Sequence, residues 1–168
     1  MSTATWTRDT IHDSAEDIRA TLRAEYIREG SLAPARAILF THVDPDTGRR
    51  CAAVWQMTMP LPSGEPSKVD ARKNGYVGFI RRLTERTDAV AVAVASECWV
   101  GGDAYDRPED DPARRELLIF VLKSVRFGTT IWTAQISRGP DGKTTVSAWE
   151  RHDNANAGRF SAMLPDLD

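Results

Sequence analysis

Glu97 and Glu116 are the two side chains whose types and setting come nearest to chemistry. Each stands at the end of an apolar strand pattern, Ala89 to Val100 and Glu116 to Val125, with a polar segment between the two patterns. In an antiparallel register that sets Trp99 opposite Arg114, Glu97 faces Glu116, Ala95 faces Leu118 and Ala93 faces Phe120. Small residues then meet large ones on a shared face. Two carboxylates held close raise one another's pKa, and such pairs act as general acid and base or as metal ligands. Trp99 and Arg114, on the same face, are the candidate binding residues. The same register also supports a structural reading, in which Arg114 or Arg115 bridges the two glutamates. A slip of one residue would send Glu97 and Glu116 to opposite faces of the sheet.

Other routes to chemistry are weaker. The chain has no G-x-S-x-G elbow, no phosphate-binding G-x-x-x-x-G-K-[ST] loop and no G-x-G-x-x-G. Gly139 to Lys143 lies between two strand patterns, where a hairpin turn accounts for it. His12, His42 and His152 are far apart, and only His42 and Asp44 are close in sequence. Asp103, Asp106, Glu109, Asp110 and Asp111 supply oxygen donors, but their spacing is not that of a calcium loop and Pro108 and Pro112 stiffen the segment. No metal or cofactor is implied. Cys51 and Cys98 lack a C-x-x-C spacing and read as reduced, buried thiols of a cytoplasmic protein.

Charge narrows the partners. The 168 residues carry 22 basic and 24 acidic side chains, a net charge of −2. There is no global basic field to draw in a phosphate backbone. Arg81, Arg82 and Arg86 form a local basic face, and five tryptophans are present. Trp55, Trp99, Trp132 and Trp149 fall in strand patterns, where packing explains them, so the sequence argues against nucleic acid. No apolar run approaches the roughly 20 residues that span a bilayer, and Met1 to Thr10 has no apolar core of a signal peptide.

The elements that must position the glutamates follow from periodicity. Ile11, Ala15, Ile18, Leu22 and Tyr26 recur every three or four residues and predict a helix from about His12 to Glu29. Asp13 and Ser14 are its candidate caps and Gly30 its stop. Glu16, Asp17, Arg19, Arg23 and Arg28 read as its solvated face. Ala35 to Val43 and Cys51 to Met59 predict a hairpin around Asp44-Pro45-Asp46-Thr47-Gly48. Ser67 and Asp70 resemble a capping box for a second helix, whose stripe is Tyr76, Phe79, Ile80 and Leu83.

In Ala89 to Val100, Val90, Val92, Val94 and Cys98 point one way and Ala89, Ala91, Ala93, Ala95, Glu97 and Trp99 the other. Both faces are apolar, which marks a central strand covered on both sides. Thr129 to Arg138 and Thr144 to Glu150 form a last hairpin. The order α-β-β-α-β-β-β-β predicts an α+β fold, a mostly antiparallel sheet of about six strands with two amphipathic helices. Residues 1–10 read as a disordered N-terminus, 11–150 as one domain and 151–168 as a polar tail with a small apolar segment at Phe160, Met163 and Leu164. Two helices leave part of such a sheet uncovered, which suits a homodimer surface.

The segment Ser96-Glu97-Cys98-Trp99, followed by Arg107 to Ala113 and then Arg114-Arg115-Glu116-Leu117-Leu118, is similar to small proteins of phage, prophage and plasmid regions. In those, a Ser-Glu-x-Trp strand precedes a polar loop and an Arg-x-Glu-hydrophobic-Leu strand. The resemblance covers a quarter to a third of the chain, implies no activity, and singles out Glu97, Trp99, Arg114 and Glu116. Two functions follow as expectations. One is a non-catalytic binding or accessory module of a phage or mobile element, engaging a protein partner or a second copy. The other is a small hydrolase-like enzyme that uses Glu97 and Glu116.

Overall fold

In a computed structural model, the described residues are 5–32, 35–44, 46–58, 78–102, 104, 110–124 and 126–153. They form helix α1 (Arg8–Glu29), strands β1 (Arg36–Val43) and β2 (Arg50–Thr58), helix α2 (helical at 78–87), then β3 (Ala89–Val100), β4 (Arg115–Ser124), β5 (Gly128–Arg138), β6 (Thr144–Val146) and β7 (Glu150–Asp153). The strands make one antiparallel sheet in the order β2-β1-β3-β4-β5-β6, with β7 also paired to β5. The class is α+β. There are seven strands instead of six, because residues 147–149 break the strand along the outer side of β5 into β6 and β7. Pairing on this edge runs to Asp153, past the expected start of the polar tail at Arg151. Since β1 is antiparallel to both β2 and β3, the latter two are parallel, and the chain joins them by a crossover through α2.

One helix packs on each face of the sheet, while β2 at the edge has no buried residue. On one face, Ile11, Ala15, Ile18, Leu22 and Tyr26 of α1 pack on Phe40, Ala91, Ala93, Ala95, Phe120 and Trp132. On the other, Ile80 and Leu83 of α2 pack on Leu39, Val92, Val94 and Val121. The alternation in β3 therefore separates its two faces, with one exception. A register irregularity against β1 between Phe40 and Thr41 puts Val90 with the α1 cluster and Ala89 with the α2 cluster. A bulge inserts one residue and inverts the alternation beyond it.

Helix α1 starts at Arg8, earlier than periodicity suggested, so residues 8–10 are helical. Thr7, not Asp13 or Ser14, is the N-cap. Its hydroxyl accepts from the Thr10 N–H (3.2 Å) and the Thr10 hydroxyl accepts from the Thr7 N–H (2.8 Å), a reciprocal box that satisfies two end donors. Just before it, Trp6 donates its indole N–H to the Thr41 carbonyl (2.7 Å) and meets Phe40 edge-on. Gly30 closes the helix at φ 75°, where a side chain would be strained. Arg19 departs from the expected solvated face: it is buried, at 7% exposure. It lies four residues after Ala15 and three before Leu22, which places it on the flank of the apolar stripe.

In α2, Ile80 is buried and Leu83 packs on the sheet, whereas Phe79 is exposed. Ser67, Asp70 and Tyr76 lie outside the described residues, as do Asp103, Asp106, Glu109, Phe160, Met163 and Leu164. No helix among the described residues is long and apolar enough to cross a membrane.

Candidate functional site

The register of β3 and β4 differs by two residues from the one expected. Trp99 pairs with Glu116 and Glu97 with Leu118, while Ala95 pairs with Phe120 and Ala93 with Leu122. A slip of two preserves which face each side chain occupies. Glu97 and Glu116 therefore still share the α1 face, as diagonal neighbours and not directly opposed.

Helix α1 delivers Tyr26 to the point between them. The Tyr26 hydroxyl has one proton, and it lies 3.4 Å from Glu97 Oε2 and 3.3 Å from Glu116 Oε1. Its oxygen in turn accepts from Arg138 Nη2 at 2.9 Å. The same guanidinium grips Glu116 with two bonds, Nε to Oε2 at 2.9 Å and Nη2 to Oε1 at 2.7 Å. Glu97 faces the chain that leaves α1: its Oε1 accepts from the Ser31 hydroxyl (2.7 Å) and the Leu32 N–H (3.1 Å). The pair is thus bridged through the Tyr26 hydroxyl, with Arg138, from the end of β5, bound to Glu116, and not by Arg114 or Arg115.

Electrostatics follow the contacts. The hydrogen bonds and charge of Arg138 hold the Glu116 carboxyl below its usual range, more than offsetting its partial burial. Burial first, and then the charges of Glu97 and Glu116, push the Tyr26 phenol well above its usual value. Tyr26 therefore stays a neutral donor. A carboxyl depressed in the folded state contributes stability above its unfolded pKa, near 4.5, and loses it as pH falls through the lower folded value. Stability to urea should accordingly drop below about pH 4.5, and Glu116→Gln should flatten that limb of the curve. An unchanged acid limb in the variant would show that the Arg138 pair carries no such linkage.

The candidate binding residues sit at the rim of this cluster. Trp99 is 49% exposed, Val100 beside it is also exposed, and the Arg114 guanidinium carbon lies 4.8 Å from the Trp99 ring centroid. The connecting loop is fastened by Asp111. Its buried carboxylate accepts from the Gly102 N–H (2.7 Å) and the Ala113 N–H (2.7 Å), and these bonds lower its pKa. Cys98, on the opposite face, is half-buried and not fully buried, and burial pushes its thiol up to about 11. Cys51 is also half-buried and free. Asp44 serves the first hairpin, accepting from the Asp46 N–H and the Thr47 hydroxyl. Trp149 lies between β6 and β7, not in a strand, and donates to the Arg19 carbonyl. Among the described residues no group of three or more His, Cys, Asp or Glu could hold a metal ion.

Sequence reasoning thus reached Glu97, Glu116, Trp99 and Arg114 but missed Tyr26, Ser31 and Arg138. A signal existed for Arg138. The short turn after Ser124 pairs Glu116 with Ile136, and two residues further along β5 is the same face. The fold and the cluster define an α+β protein whose antiparallel sheet carries one helix on each face and a polar network at one end. No protein-family model, curated protein or solved structure matches the chain.

Proposed function

We propose that this protein is a non-catalytic binding module of a phage or mobile element. It acts in the cytoplasm and engages a protein partner, a second copy of itself included, through the sheet end that bears Trp99, Val100 and Arg114. One observation carries the reading. All four oxygens of Glu97 and Glu116 accept hydrogen bonds from the chain's own groups, while the tryptophan beside them stands half out of the surface. Engaged carboxylates hold a scaffold in place; an exposed Trp with Arg stacked on it has the composition of an interface anchor. The resemblance of this segment to phage, prophage and plasmid proteins supports the setting.

A small hydrolase-like enzyme is the second reading, favoured by the shared face of Glu97 and Glu116 around one hydroxyl. The two readings separate by thermal denaturation with divalent metals, nucleotides and nucleic acids, together with affinity capture from the native host. The module predicts no metal-dependent shift. It also predicts that Trp99→Ser leaves the melting midpoint within about 2 °C of wild type, as surface substitutions do, while the captured partner is lost. Metal stabilisation that disappears in Glu97→Gln and Glu116→Gln would overturn the module in favour of the enzyme.

A further inference from the structure

Arg19 is a buried cation whose polar atoms are not all satisfied. It is 7% exposed, and its Nε and Nη1 are buried without hydrogen-bond partners. Its guanidinium carbon lies 3.9 Å from the Trp132 ring centroid and 5.7 Å from that of Phe120. Stacking on aromatic faces offsets part of the cost of desolvating a charge, but not the loss of its hydrogen bonds. Burial pushes its pKa down to about 10, Arg151 adds to that effect and Glu16 opposes it. Buried polar groups left unpaired are rare, and an ion in the native site is one of their recurring explanations.

The surroundings supply the rest of a site. His12 meets the edge of the same indole at 5.9 Å. Arg151, the register partner of Trp132 on β7, places its guanidinium carbon 5.8 Å from that ring. Arg8, His12 and Arg19 lie four and seven residues apart, which is one face of the helix. Exposure grades inward: Arg8 and Arg151 are exposed, His12 is half-buried and Arg19 is buried. The carboxylates that face the group are Asp153, bound to Arg151 at 2.8 Å, and Glu16. Three guanidiniums outnumber them, and burial with Arg151, Arg8 and Arg19 lowers the His12 pKa.

We infer that this cluster between α1 and β7 is a binding site for a phosphate group. Guanidinium donors match a tetrahedral oxyanion. A dianion would neutralise the excess positive charge and allow His12 to take up a proton as a further donor. The site lies about 10 Å along α1 from Tyr26 and does not depend on the function proposed for that end.

The test is thermal denaturation of the full chain with inorganic phosphate, against chloride at equal ionic strength. Wild type should gain about 3 °C or more at about 10 mM phosphate, and the His12 ring, followed by NMR, should titrate at higher pH when phosphate is present. Arg19→Met, an apolar side chain suited to the buried position, should remove the phosphate-dependent gain. Arg151→Gln, at the surface, tests the same site in a variant that retains the core, and should weaken phosphate binding at least about tenfold. Adenosine monophosphate and a sugar phosphate distinguish the source: a larger gain with either assigns a phosphoester, an equal or smaller gain the free ion. No gain with any of them, or an undiminished gain in both variants, would overturn the inference.

Discussion

Tyr26→Ala should destabilise the protein by about 4 kcal/mol, the largest effect expected from one side chain at the glutamate cluster. The ring is fully buried as the last member of the α1 stripe, so its removal leaves a cavity under the helix. The hydroxyl is lost with it, and that hydroxyl is the only group that touches Glu97, Glu116 and Arg138 together among the described residues. Tyr26→Phe separates the two contributions. It keeps the ring and should cost about 1–2 kcal/mol, the range for leaving a buried acceptor without its donor. Urea denaturation at pH 7 reads both values. A Phe variant as stable as wild type would show that the Arg138 and Ser31 bonds suffice for the carboxylates, and that Tyr26 is there for packing alone.

Much of the scaffold was legible because its residues satisfy two constraints at once. Ala89 to Val100 combines strand residues with apolar character on both faces, which only a central strand accommodates, and β3 has those bounds. The α1 stripe from Ile11 to Tyr26 is likewise the buried apolar set of that helix. What escaped has local causes. The cap at Thr7 uses Thr10 in place of the usual Glu or Gln. The segment 150–153 is short and polar, and becomes a strand only because β5 offers it a free edge. Arg19 sits at a stripe-flanking position, where residue type argued for solvent and the two aromatic rings decided otherwise.

The candidate site was legible in its faces but not in its partners. The expected and observed registers differ by two, so Glu97 and Glu116 share a side in both, although the unbroken apolar run of β4 does not itself set that parity. Alternation gives no means to tell registers that differ by two, because Ala95 meets a large residue whether that is Leu118 or Phe120. Tyr26 and Arg138 enter from 71 residues before Glu97 and 22 after Glu116. Only the packing of α1 and the length of β5 bring them to that end, and neither is written in the residues around the glutamates.

Ala93→Leu should cost about 3 kcal/mol by overpacking, at the upper end of the usual range for such changes. Ala93 is fully buried, and across the sheet it lies between Ile38 of β1 and Leu122 of β4. Ala91, Ala93 and Ala95 of β3 form a low row on the α1 face, next to the large side chains of β1 and β4, and Ile18 and Leu22 of α1 belong to the same cluster. Three added carbons there must lift the helix or force neighbouring rotamers, because interiors are close-packed. Lifting α1 would also draw Tyr26 away from Glu97 and Glu116, so the variant should lose acid-limb stability along with core stability. Val94→Ile, one methylene larger on the α2 face of the same strand, is the control and should cost less than about 1.5 kcal/mol. If Ala93→Leu cost no more than that control in the same denaturation series, α1 would have room above β3, and the close approach that seats Tyr26 between the glutamates would lose its basis.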